Sequence, residues 1–329
     1  MLRILHDTNY DFIRWWKVMA AITIAFIVLG LGSLAIKPPN LSIEFTGGTL
    51  MQLEFTQPPD VGEIRSTLDQ AGIRGAEIQQ FGTNREFTVR AQNQSAVAAQ
   101  SNGAETVAVS IEKVLKAKFG ENDVRVVRTE AVGPRVGDEL KRGAIIAILL
   151  SFLITLVYLS IRFEWRFATA AVIATSHDVF TTIAFLKLMH LEISLTVVAG
   201  LLTVLGYSLN DTIIIFDRVR ENLRKGRKET LYETLNRSIN ETLPRSILTH
   251  ATVLAATLSL LFFAGEVIRP FAWVMAFGVI TGTFSSIYVA APVLLWIERK
   301  WPRQTGARQT SSTATPTSRT RRSTATATR

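Results

Sequence analysis

Three ionisable side chains sit inside apolar stretches of this sequence, His177, Asp178 and Asp211, and a fourth, Arg245, stands at the edge of another. A charge in hydrocarbon is costly, so each needs a partner or a task. Asp211 follows Asn210 and lies six residues, roughly 9 Å of helix, before Asp217 at the end of its run. Desolvation favours a neutral carboxyl and a nearby cation favours an ionised one, so an acid whose surroundings alternate takes up and releases protons. Arg245, after Pro244, is the candidate cation, and a moving guanidinium would switch Asp211 between its two states. A static ion pair joining two helices, or an arginine snorkelling to the interface, would account for the same two residues. His177-Asp178 reads equally as a proton relay or as a structural hydrogen bond to a neighbouring helix. Thr249 and Thr252 share the side of Arg245 and either line a wet path or bond back to helix carbonyls. Covalent chemistry has little material here: there is no cysteine, and the four histidines have no zinc-site spacing. No cofactor, metal or catalytic nucleophile is expected. The ion such an acid would bind is a proton, with sodium the alternative, since one carboxylate with hydroxyls and carbonyls can hold either.

These residues must be carried by membrane helices. Of the 329 residues 48% are hydrophobic and only 19% charged, and mean hydropathy is +0.24, an unusual balance for a soluble enzyme. Six uncharged or nearly uncharged runs are long enough to cross a bilayer: 18–36, 143–161, 167–186, 193–216, 247–265 and 271–297. The first follows Arg14-Trp15-Trp16-Lys17, a cationic and aromatic anchor, and is long for the apolar region of a cleavable signal peptide, the competing reading. The net charge of +9 is concentrated in two places. Residues 217–245 hold eight Lys and Arg against five Asp and Glu, and residues 298–329 hold eight against one. Residues 1–17 and the turn 162–166 are also net positive, and all four segments fall on one side of a six-helix topology. That side is cytoplasmic by the positive-inside rule, so both termini are expected in the cytoplasm and residues 37–142 outside. The charge is thereby explained without a nucleic-acid partner. The tail, rich in Thr, Ser, Ala and Arg, cannot bury enough surface to fold and is expected to be disordered.

Residues 37–142 change pattern. Strand-like 50–55, a helical 59–71, strand-like 77–81 and 86–90, a helical 105–119 and strand-like 124–129 give the order βαββαβ, the ferredoxin-like plan. With no clustered nucleophile, this domain reads as a binding or mechanical module. The expected fold is therefore a six-helix membrane protein with a ferredoxin-like α+β domain between helices 1 and 2. In the last run Gly278 and Gly282, with Ser285 and Ser286 nearby, read as a close helix-packing face.

Five stretches together resemble one family. They are Phe45-Thr46-Gly47-Gly48-Thr49 after the first helix, Val132-Gly133-Pro134 through Leu140 before the second, His177-Asp178-Val179, Gly206-Tyr207-Ser208-Leu209-Asn210-Asp211 through Asp217-Arg218, and Gly282-Thr283-Phe284-Ser285-Ser286-Ile287. In this order and context the chain is similar to SecF of the SecD/SecF family, within the RND superfamily of proton-driven exporters, up to about residue 300. The resemblance implies an auxiliary subunit of the Sec translocase in the cytoplasmic membrane. Such a subunit joins a separate SecD and the SecYEG channel and uses the proton-motive force to draw an unfolded polypeptide outward. It implies that Asp211 is the proton carrier and Arg245 its partner. Three positions depart from the family pattern: Glu44 where Asp is frequent, and His250 and Ala251 where small polar residues or glycine are expected; His250, five residues after Arg245, is a candidate for the proton path. A small-molecule or lipid exporter of the superfamily and a passive membrane scaffold are the alternative functions. The single modest external domain weighs against the exporter.

Overall fold

The computed structural model describes residues 8–91, 103–225, 229–265 and 267–302. Six helical spans are long and apolar enough to cross a membrane: Ile13–Ala35, Pro134–Arg162, Trp165–Leu188, Leu195–Arg224, Leu231–Phe263 and Arg269–Lys300. The first contains helix α1 (Trp16–Gly32) flanked by short 3-10 turns. After it come a helical turn α2 (Ile43–Thr46), strand β1 (Gly48–Phe55), helix α3 (Val61–Gln70), strands β2 (Glu77–Gln80) and β3 (Glu86–Ala91), helix α4 (Gly103–Phe119) and strand β4 (Val124–Val132). The remaining spans are α5 (Pro134–Arg162), α6 (Trp165–Leu188), α7 (Leu195–Arg224), α8 (Leu231–Phe263) and a composite column of α9 (Arg269–Ser285), a π-helical turn (Ser286–Ala290) and α10 (Ala291–Lys300).

The domain between the first two spans, called the external domain after the sequence expectation, has the expected ferredoxin-like fold. Its sheet is antiparallel in the order β2-β3-β1-β4, with Met51 opposite Val89 on one side of β1 and Thr129 on the other. Alternation puts Met51, Leu53, Phe55, Phe87 and Val89 on one face, where Ile64 and Leu68 of α3 and Ile111 and Leu115 of α4 bury them. Asp60 starts α3 by accepting from the Gly62 amide. The other face, with Gln52, Thr88 and Arg90, looks across a cleft of about 240 Å³ bordered by Glu44 of α2 and by Glu192 and Thr196 of the membrane domain.

Within the membrane domain α6, α7 and the α9–α10 column are half or more buried, whereas α1, α5 and α8 turn most of their surface outward. Small residues set the packing. A methyl group on Gly282 would meet Ser208 Cβ of α7 at 3.0 Å, and one on Gly278 would collide with Val204. The small-residue face read from the sequence therefore seats α9 directly on α7.

Three boundaries differ from the sequence reading. The expected loop 217–245 is mostly helix: α7 continues to Arg224, and α8 begins at Leu231 with a capping box between Thr230 and Glu233. Charged residues end an apolar run, but they do not end a helix that has another helix to lean on. Here Arg218 bonds to Glu241 at 2.5 Å and Asn222 to Ser238 at 3.0 Å between the two extensions. The external domain gives way earlier than residue 142, since α5 starts at Pro134, a residue suited to the first turn of a helix. Helix α10 continues to Lys300, past residue 298 where the basic tail is expected to begin; residues 303–329, which carry the expectation of disorder, lie outside the described residues.

Candidate functional site

The centre of the bundle holds two buried carboxylates, each held by hydroxyl groups from other helices. Asp211 of α7 is 2% exposed. Ser246 Oγ of α8 donates to its Oδ1, and Ser286 Oγ, at the start of the π turn, donates to its Oδ2 at 2.8 Å. Asp178 of α6 is fully buried. Ser208 Oγ of α7 and Ser285 Oγ, the latter at 2.7 Å, donate to its Oδ2, and His177 Nδ1 lies 3.1 Å from its Oδ1. Ser208 and Asp211 stand three apart on one face of α7, so that helix gives an acid to one cluster and a donor to the other. Ser285 and Ser286 are consecutive and turn about 100° apart on a helix, which lets one reach Asp178 and the other Asp211. The π turn beginning at Ser286 widens the helix where these two serines separate, a distortion frequent at functional positions.

Ser285 and Ser286 are also adaptable. Ser286 Oγ is 3.0 Å from the carbonyl oxygens of both Gly282 and Thr283, and Ser285 Oγ is 3.2 Å from that of Gly282. Each hydroxyl has one hydrogen. It can go to the carboxylate, or to the backbone while the hydroxyl oxygen accepts from a protonated acid, so the Ser286–Asp211 contact is satisfied in both protonation states.

Arg245 is not beside Asp211. It precedes Ser246 on α8, and successive residues point about 100° apart, so Ser246 takes the inward direction while Arg245 is exposed. Arg245 instead borders a groove of about 480 Å³ that also contains Arg162, Asp217, Arg218 and Glu241. Among the described residues no ion pair joins Arg245 to Asp211. In the conformation seen here the expected pairing is not formed. The groove is also where Asp217 and Arg218 stand, with Arg218 bonded to Glu221 at 2.6 Å as well as to Glu241. Asn210 faces outward from α7. Thr249 and Thr252 are exposed and donate to carbonyls of their own helix, Thr249 to Arg245 and Ser246 at 3.0 Å and Thr252 to Thr249 at 2.8 Å. His250 is buried one turn beyond Ser246 on the same face, with its ring edge-on to Tyr207 at 5.2 Å. His177 joins the Asp178 cluster rather than that of Asp211.

The glycine motifs meet at a second junction, between the external domain and the bundle. Gly47 has φ of +71° and ψ of 154°, a conformation reserved for glycine, and a Cβ there would sit 2.9 Å from Pro134 Cα. A Cβ on Gly137 would lie 3.1 Å from the Gly47 amide nitrogen. Gly48 then opens β1, and Gly133 caps α5 in extended conformation. The two sequence motifs are thus halves of one joint, α2 seated on the first turn of α5.

Comparison with known proteins bears on this arrangement. Residues 110–300 match the family described as protein export membrane protein SecD/SecF, C-terminal, and residues 32–59 match the SecD/SecF GG motif. The chain belongs to the SecD/SecF family. It is 63% identical over 305 residues to the protein translocase subunit SecF of Gemmatimonas aurantiaca, covering 92% of this chain and 91% of that protein. It is 41% identical over 289 residues to SecF of Vibrio alginolyticus, covering 88% and 90%. Among solved structures it is similar to SecDF of Thermus thermophilus, with TM-score 0.79, 34% identity and 91% of this chain covered. A SecDF structure in a super-membrane-facing form gives TM-score 0.65 at 35% identity and 90% coverage. The chain spans 40% of the length of each SecDF chain. This SecD/SecF family chain is a multi-pass membrane protein whose relatives carry a transport role.

Serines 208, 246, 285 and 286 were not singled out by the sequence as carboxylate partners. The available signal was geometric: Ser208 at three residues before Asp211, and paired serines one turn after Gly282, the residue that brings α9 against α7.

Proposed function

We propose that this chain is a proton-driven auxiliary subunit of the Sec protein-export machinery, working with SecD beside the SecYEG channel on an unfolded polypeptide. The observation that carries the reading is Asp211: a buried carboxylate in mid-bundle, held by two hydroxyls of which that of Ser286 can serve both protonation states, with a cation one residue away from the other, Ser246. Rotation of α8 about its axis would exchange Ser246 for Arg245 in front of Asp211. A hydroxyl is compatible with either state of the acid whereas a guanidinium favours only the ionised one, so proton binding and helix rotation become one equilibrium. Pro244 lies immediately before this pair and removes the backbone bond that would otherwise stiffen it. The outward polar positions Asn210, Arg245, Thr249 and Thr252 support a partner subunit covering this side, since such groups are poorly suited to lipid. SecD is the occupant we infer, with a membrane acid of its own. The basic segments support cytoplasmic termini in the cytoplasmic membrane, with the ferredoxin-like domain outside, where it holds and releases the emerging chain. Nothing in this scheme requires covalent catalysis.

Asp211→Asn keeps the shape and abolishes titration. In vesicles energised only by a proton gradient it is expected to stop proton-dependent export while the complex still assembles. Normal export would refute the proton-driven reading, and loss of assembly would favour a scaffold.

A further inference from the structure

The joint around the glycine motif has a third member. Glu44, in the helical turn α2, reaches across to the start of α7 and accepts the Leu195 amide hydrogen on Oε2 at 2.6 Å. The first amides of a helix have no partner within it, and the helix dipole makes that end favourable for an anion. The neighbouring cap, Ser194, accepts from Val197 at 3.3 Å, so Glu44 completes a cap that α7 builds only in part. Ser42 Oγ steadies the carboxylate at 3.1 Å. The contact is reinforced by backbone on both sides: Ser42 N donates to Ile193 O at 2.9 Å, Ile193 N donates to Asn40 O at 2.7 Å, and Leu41 and Ile193 form a parallel bridge.

The consequence is topological. Four residues after Glu44 the chain enters β1, the strand that pairs with both β3 and β4. Three residues after Glu44, Gly47 is packed against Pro134 of α5. The external domain is therefore fixed at its central strand to the outer ends of two membrane helices, and one of these, α7, carries Asp211 sixteen residues, roughly 24 Å, further along.

We propose that Glu44 is the positioning residue that couples displacement of α7 to the external domain, by holding the outer end of that helix to the root of β1 throughout the working cycle. This rests on the reading of Asp211 as the proton carrier, and the test separates the two. The complex with SecD is reconstituted in vesicles, and proton uptake and polypeptide export are measured independently. Glu44→Ala is expected to leave Asp211-dependent proton uptake intact while export falls about tenfold, the equilibrium weight of one charge-assisted hydrogen bond. Glu44→Asp, which keeps the charge, is expected to recover most of it. A structural role alone would lower uptake and export together. The chain has no cysteine, so Leu41→Cys with Ile193→Cys can be oxidised to lock the same contact. Bridge partners lie within disulfide reach, and the locked protein is expected to export at the parental rate because the clamp never opens. Undiminished export by Glu44→Ala, a parallel loss of uptake and export, or arrest of export by the lock would each overturn the proposal. Absence of Asp211-dependent uptake in the parent would instead remove the reading on which it rests.

Discussion

Replacing Gly47 with alanine tests whether the glycine motif is a joint, and Gly133 supplies the control within the same joint. At Gly47 two costs combine. The φ of +71° with ψ of 154° lies in a region that side chains avoid, for which strain of about 1–3 kcal/mol is typical. The new methyl group would also stand 2.9 Å from Pro134 Cα and 3.1 Å from Pro134 N. These are backbone atoms at the first turn of α5, unable to swing aside as a side-chain end does, and overpacking of this kind costs about 1–3 kcal/mol. The sum, about 2–6 kcal/mol, corresponds to a Tm lowered by roughly 3–9 °C for 329 residues. Gly133 has φ of −69° and ψ of 149°, ordinary extended values for a helix cap, and nothing lies within 4 Å of its missing Cβ. Gly133→Ser is therefore expected to leave Tm within about 2 °C of the parent, since serine is itself a good cap. The assay is thermal unfolding of the purified proteins in detergent, with limited proteolysis following release of the external domain. Equal losses at Gly47 and Gly133, or a Gly47→Ala protein as stable as the parent, would refute the reasoning.

Other substitutions probe the two sites separately. Arg245→Lys keeps the charge but loses the two-pronged guanidinium; with Arg245 exposed, thermal stability should change by less than about 0.5 kcal/mol while proton-driven export is impaired, and full export would indicate a snorkelling role. Ser246→Ala and Ser286→Ala each remove one donor from Asp211, and because both act on one carboxylate their effects on export should be non-additive by at least about 0.5 kcal/mol; a simple sum would separate them into independent roles. Arg90 of β3 pairs with Glu192 across the cleft below the sheet, its side chain being 15% exposed. Arg90→Gln should cost about 1 kcal/mol and speed hydrogen exchange of the Ser42 and Ile193 amides about fivefold, whereas unchanged exchange would mean the pair carries no tension between the domains.

Much of the fold was legible because membranes and sheets impose strong periodicities. Runs of uncharged residues located all six crossings, and alternation at Leu50–Phe55 and Glu86–Arg90 gave strands within two residues of their ends. What failed were the boundaries where charge was used as a terminator. Arg218 and Glu241 were read as loop because they are charged, yet their mutual bond is what carries α7 and α8 beyond the apolar zone as helices. The junction was half legible: the glycines of the two motifs stood out singly, but nothing in their spacing says that Gly47 rests on Pro134, 87 positions away.

The candidate site divides along the same line. A carboxylate in an apolar run identifies itself by its cost, so Asp211 and Asp178 could be found from sequence alone. Its partners do not, because serine is unremarkable in a membrane helix and its relevance depends on which way the helix faces. Arg245 drew attention by charge, while Ser246, next to it, is the residue that touches Asp211 in this conformation. The two are about 100° apart, which is the amount by which a sequence leaves a helix face undetermined until neighbours fix it. The same 100° separates a hydroxyl environment from a cationic one. On the proposed mechanism this ambiguity in α8 is itself physical: the structure holds Ser246 against Asp211, and the rotation we propose would bring Arg245 into its place.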